Sequence, residues 1–158
     1  MKQQEVIHSI ANLLENAKIP YTFVEEAALC VQGMKLHCAD VKVLVQWDVF
    51  TSCYELFLEE TRSTIKKTAT NAVFTVQFEG VSVQFSCLFN TTVRTDPYRI
   101  QENGVWCRSL YSYLYGVDYS PYKKEIVQFL HNKQQTLTKQ NEQAWNQNNY
   151  QARVGRYG

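Results

Sequence analysis

Apolar positions along the chain follow two periods, one helical and one of strand type. Val6, Ile7, Ile10, Leu13, Leu14 and Ala17 recur at three- and four-residue steps, with Lys, Gln, Glu and Asn opposite, which predicts an amphipathic helix. Pro20 ends it, because proline cannot continue the hydrogen-bond ladder. Tyr21-Thr22-Phe23-Val24 then reads as a short strand, and Ala27 to Gln32 as a short helix closed by Gly33. From Val41 to Val45 the chain is almost wholly apolar and β-branched, the pattern of an interior strand covered on both faces. Asp40 and Lys42 are two residues apart and so project from the same face.

Asp48 is placed to cap the next helix, whose Val49, Phe50, Cys53, Tyr54, Leu56 and Phe57 give an apolar face ending near Glu60. After the polar stretch from Thr61 to Asn71, Ala72, Phe74, Val76 and Phe78 alternate with polar neighbours. Val81, Val83, Phe85 and Cys87 do the same, so Glu79-Gly80 is expected to turn a hairpin with one buried face. Shorter extended pieces flank Glu102-Asn103-Gly104, and a helical piece is expected around Leu110, Tyr113 and Leu114. Ser120-Pro121 opens a last helix with Ile126, Phe129 and Leu130 facing inward. This order predicts an α/β (α+β) domain, a mixed sheet flanked by helices with a C-terminal helical extension, over residues 1–131. Residues 132–158, rich in Gln and Asn, form a polar tail.

Composition narrows the function classes. At 158 residues and 45% hydrophobic, the chain suits one compact domain with a genuine core. A net charge of +1 gives no overall attraction to nucleic acid or an anionic membrane. No apolar run approaches the roughly 20 residues that span a bilayer, and the amino terminus lacks a secretory signal, so a cytoplasmic location and no membrane partner are expected. Five scattered cysteines without a Cys-x-x-Cys pair are expected as reduced core residues, and His37-Cys38 lacks the further ligands of a metal site.

Ala28, Leu29, Gly33, Asp40 and Val41 carry a sharper signal. They fall in register with the pattern Gly-Gly-x-Ala-Leu-x-x-x-Gly, a spacer, then Asp-x-Asp on a strand, and the chain from Tyr21 to Val45 resembles the polymerase-β-like nucleotidyltransferase superfamily, especially its small bacterial members. Similarity in the order of elements covers roughly the first 90 residues, with Val83-Gln84-Phe85 where members carry a third carboxylate. The resemblance implies a nucleotide cleft between the start of the Glu26 helix and the strand faces carrying Asp40 and Gln84.

The departures from that pattern govern the expected chemistry. In active members, carboxylates hold two magnesium ions, and oxygen ligands are what a hard divalent cation requires. The corresponding positions here are Asp40, Lys42 and Gln84. An ammonium a few ångströms away would repel such an ion by several kcal/mol at an effective dielectric of about 20. The Gly-Gly of the pattern, which lets backbone amides close on phosphates, is Glu25-Glu26, adding bulk and negative charge. The resemblance with these departures implies a nucleotidyltransferase fold that is catalytically degenerate, with no cofactor, serving as a binding or regulatory module for a small molecule, a nucleotide or a protein partner.

Blander roles exist for each position. Asp40 can cap the strand entrance or pair with Lys42 or Lys35; Glu25 and Glu26 can be first-turn helix acids; Gln84 can be a solvated strand residue. One alternative is an active transferase with its magnesium site rebuilt from Glu79 or Asp48, and another is one partner of a toxin–antitoxin-like pair. A second cluster, Arg108, Tyr111, Tyr113, Tyr115, Tyr119, Tyr122, Lys123 and Lys124, interleaves aromatic and basic residues in the manner of a single-strand nucleic-acid or partner surface. The tail repeats it weakly with Tyr150, Arg153, Arg156 and Tyr157. Packing of the tyrosines at the domain edge explains that cluster more simply, so nucleic acid is not an expected partner.

Overall fold

The computed structural model describes residues 2–116 and 120–157, with side chains through residue 145. Tyr119 and the side chains of Tyr150, Arg153, Arg156 and Tyr157 lie outside the described positions. Two compact units divide the chain, residues 1–120 and 121–158.

In the first unit, helix α1 (Lys2–Asn16) buries Val6, Ile7, Ile10, Ala11 and Leu14. Ala11 takes the place expected for Ala17, which is exposed because the helix ends before it. Strand β1 (Tyr21–Val24) leads directly into helix α2 (Glu25–Val31), and Gly33 lies past the helix end at φ +103°, a conformation that suits glycine. Strand β2 (Val41–Val45) follows. Its Val41, Val43 and Val45 are buried while Lys42 and Leu44 stay half-buried, so the expectation of a strand covered on both faces is corrected: one face alone is fully buried.

The segment after β2 departs from the expected capping. Trp47–Val49 forms a single 3₁₀ turn and helix α3 runs Phe50–Leu56, with Val49 rather than Asp48 at its cap and no side-chain cap hydrogen bond. The polar stretch contains two short strands, β3 (Thr61–Arg62) and β4 (Lys66–Lys67), both paired antiparallel with β5 (Asn71–Phe78). The hairpin is as expected: β5 (Asn71–Phe78) and β6 (Val81–Leu88) pair from Asn71 opposite Leu88 to Phe78 opposite Val81. Strands β7 (Arg99–Glu102) and β8 (Val105–Arg108) form a second hairpin, followed by the short helix α4 (Ser112–Tyr115).

All eight strands join one mixed sheet in the order β3-β5-β6-β2-β1-β8-β7, with β4 also on β5. The β2–β6 and β1–β8 pairs are parallel and the β1–β2 pair is antiparallel. On one face, Phe50 and Phe57 beside Phe74 and Phe85 make an aromatic core. The opposite face of the central strands, carrying Lys42, Leu44, Gln84 and Ser86, is open.

The second unit is mainly helix α5 (Lys123–Tyr157), which runs without a break through residue 132. No helix among the described residues is long and apolar enough to cross a membrane.

Candidate functional site

The open sheet face owes its polarity to strand alternation. Side chains two apart share a face, so Lys42 and Leu44 on β2 stand beside Gln84 and Ser86 on β6. In the parallel register Lys42 is directly opposite Gln84 and Leu44 opposite Ser86. A cleft of about 400 Å³ lies over these residues, closed at one end by Glu25 and Tyr113 and bordered by Arg108. A neighbouring cavity of about 460 Å³ shares Leu44, Leu88 and Arg108 with it. Its wall is the loop from Thr91 to Tyr98, so it is lined mainly by threonine hydroxyls and apolar side chains.

Glu25 closes the cleft because β1 passes into α2 without a loop. The backbone makes that corner at Glu25 itself, at φ +56°, a left-handed conformation that strains any residue with a Cβ. The Glu25 amide donates to the Tyr113 hydroxyl, and its carboxylate Oε2 lies 2.9 Å from Lys42 Nζ. The partner of Lys42 is therefore Glu25, not the exposed Asp40. The hydrogen bond that Lys42 Nζ donates to the Glu25 carboxylate, with the nearby acids, raises the Lys42 pKa above the ordinary lysine value against the opposing effect of burial. The side chain is thus an ammonium at neutral pH and offers no lone pair to a cation.

The corner strain gives a direct test. Glu25→Gly and Glu25→Ala both remove the ion pair, but only alanine keeps a Cβ at the left-handed corner. The glycine variant is expected to be more stable by about 1 kcal/mol in urea unfolding. Equal midpoints would contradict this backbone geometry.

Glu25 and Glu26 are both first-turn acids of α2, as the simpler reading had it, and Glu26 turns a buried Oε2 inward that makes no hydrogen bond. Glu79 sits in the β5–β6 turn and Asp48 in the 3₁₀ turn; among the described residues no three His, Cys, Asp or Glu side chains gather as metal donors. Arg108 pairs with Asp96, Nη2 to Oδ2 at 2.9 Å, and Tyr113 is buried against the Glu25 amide. Tyr111 and Tyr115, one helical turn apart, stack at 6.1 Å and are exposed. Lys123 and Lys124 are exposed at the start of α5, in the second unit. Ser86 and Leu44 are cleft residues that went unnoticed in the sequence, although each lies two positions from one that was noticed.

No protein-family model matches the sequence, and no curated protein matches it. Solved structures do. A candidate nucleotidyltransferase from Thermotoga maritima aligns over 90% of this chain and 94% of its own, at TM-score 0.55 and 16% identity. ANT(2")-Ia, solved in complex with adenylyl-2"-tobramycin, aligns over 80% of this chain and 86% of its own, at TM-score 0.55 and 12% identity. The fold is nucleotidyltransferase-like. At such identities the likeness concerns the backbone, so the chemistry of the open-face cleft rests on the side chains just described.

Proposed function

We propose that this nucleotidyltransferase-fold protein no longer transfers nucleotides and works as a binding or regulatory module through its open-face cleft. The observation that supports the reading is the 2.9 Å ion pair between Lys42 and Glu25, an ammonium and its counter-ion at the positions that the resemblance assigns to a metal-binding carboxylate and a phosphate-cradling glycine. The residues at the expected carboxylate positions do not fit a pair of magnesium ions. Asp40 is the sole carboxylate of the three; Lys42 is cationic and Gln84 is a neutral amide. Phosphate cradling is opposed as well, because the Glu25 amide is bonded to Tyr113 and the adjoining side chains are acids.

What remains is a cleft with a polar end at Lys42, Gln84 and Ser86 and a more apolar neighbour floored by Leu44 and Leu88. This combination suits a small ligand with one polar group and an apolar body, since a few placed polar groups give orientation while apolar lining gives affinity. Titration calorimetry with magnesium and each nucleoside triphosphate, together with labelled-nucleotide transfer to RNA, protein and aminoglycoside, tests the inactive reading. The expected result is neither metal-dependent binding nor transfer. Micromolar metal-dependent binding that is abolished by Asp40→Ala would overturn it.

A further inference from the structure

Among the described residues, two acids and two bases line the open-face cleft and the cavity beside it, and each acid already holds a base. Glu25 Oε2 lies 2.9 Å from Lys42 Nζ at one end. At the border between the two spaces, Asp96 Oδ2 takes Arg108 Nε at 3.0 Å and Nη2 at 2.9 Å. An incoming anion at Lys42 therefore meets the Glu25 carboxylate, and an incoming cation at Glu25 meets the Lys42 ammonium. Glu26 and Asp40 act on Lys42 from outside the lining, Asp40 from an exposed position that solvent screens. Gln84 and Ser86 are the uncharged polar groups of the cleft floor, Gln84 opposite Lys42 and Ser86 opposite Leu44. Both are half-buried, and among the described residues neither side chain has a hydrogen-bond partner in the protein.

We propose that the cleft takes an uncharged ligand that carries an amide-type edge, an N–H beside a C=O, on an apolar body, and that Gln84 reads the edge. The inference rests on the binding-module reading of this site and names the class of molecule bound there. A carboxamide presents two donors and an acceptor on one planar group. A ligand amide laid against it makes two hydrogen bonds of opposite sense, Gln84 Nε2 donating to the ligand carbonyl and the ligand N–H donating to Gln84 Oε1. A carboxylate has no donor for Oε1 and an ammonium has no acceptor for Nε2, so either ion leaves one side of Gln84 unmatched. The ions also meet the charge of like sign in the Lys42–Glu25 pair, which an uncharged head group leaves undisturbed. Ser86, two residues along the same strand face, adds a hydroxyl that can donate or accept.

The apolar body has a place beside that polar end. Leu44 and Leu88 line both the cleft and the neighbouring cavity of about 460 Å³, and Leu88 keeps 44% of its surface exposed. Beyond them the wall includes Val93 and Pro97, in the loop from Thr91 to Tyr98. Side chains fasten this loop: the Val93 amide donates to Gln46 Oε1 at 3.1 Å, the Tyr98 amide donates to Asp96 Oδ1 at 2.9 Å, and Arg108 holds the other Asp96 oxygen. A wall fixed in this way needs little ordering when a ligand arrives, and covering Leu44 and Leu88 supplies affinity that does not depend on charge.

Hexanamide, hexanoate and hexylammonium test the proposal, because they share a chain length and differ in the charge of the head group. Molecules of this size are expected to bind in the millimolar range, which amide NMR of the isotope-labelled full chain can follow. Hexanamide is expected to bind at least about tenfold more tightly than either ion. It should also shift the Gln84 side-chain amide signals, which are identified by their loss in Gln84→Met. In that variant, which keeps the length of a side chain on the open face, the advantage of the amide is expected to vanish. Hexanoate or hexylammonium binding as tightly as hexanamide, an amide advantage that survives Gln84→Met, or no binding of any of the three would each overturn the proposal. None of these results involves a metal or a nucleotide, so the binding-module reading would stand; that reading falls instead to metal-dependent nucleotide binding abolished by Asp40→Ala. The comparison of the three head groups uses the unaltered protein, so its outcome does not depend on any variant folding.

Discussion

Replacing Lys42 and Gln84 together by aspartate is expected to give this protein a divalent-cation site, raising its Mn²⁺ affinity by at least about 100-fold, or about 3 kcal/mol. The geometry for this is already present. Lys42 and Gln84 are register partners on adjacent parallel strands, which lie roughly 4.8 Å apart, and both project onto the open face. Asp40 precedes Lys42 by two residues. The double substitution removes one positive charge beside the cleft and adds two carboxylates, and each unit charge near a divalent ion is worth several kcal/mol at an effective dielectric of about 20. Solvent access to the cleft reduces that sum, which is why the expected gain is set well below it. Glu25, freed from its ion pair, would supply a further oxygen donor. Calorimetric titration of Mn²⁺ into the double variant and the unaltered protein, with circular dichroism to establish folding, provides the measurement. A folded variant with no gain in affinity would defeat the view that the cleft differs from a metal site by these two side chains.

The part of this site that could be read from the sequence was the part encoded locally. Asp40 and Lys42 lie two apart, and Gln84 lies at the centre of a hairpin strand whose alternation is unambiguous, so register alone brings Gln84 opposite Lys42. The strand β1 and the β5–β6 hairpin were legible for the same reason. The contacts that define the cleft join distant positions instead: the Tyr113 hydroxyl meets an amide 88 residues away, and Arg108 finds Asp96 across the β7–β8 hairpin. No periodicity encodes either one. Strands β3 and β4 escaped notice because two-residue edge strands of polar residues show no alternation. Asp48 is a good capping residue in a segment that winds first as a 3₁₀ turn, where its side chain has no helix amide to accept from. The lysine within the apolar run of β2 was itself the sign that one face of that strand is open.

The same alternation predicts the largest loss of stability, at Phe85. Its ring is buried, stacked on Phe74 at 5.0 Å between centroids and packed against Phe57 at 4.8 Å, so it ties α3 to the hairpin. Phe85→Ala removes a full aromatic side chain and leaves a void that flanking strands cannot fill without breaking register; such truncations cost about 3–5 kcal/mol. For a chain of this size that corresponds to a fall in Tm on the order of 10 °C. Gln84 is the neighbouring residue on the opposite, open face, and Gln84→Ala should change stability by no more than about 0.5 kcal/mol. Thermal and urea unfolding of the two variants side by side therefore test the register as well as the core. A Gln84→Ala loss comparable to that of Phe85→Ala would mean that β6 is turned over, which would carry Gln84 out of the cleft and Phe85 into it.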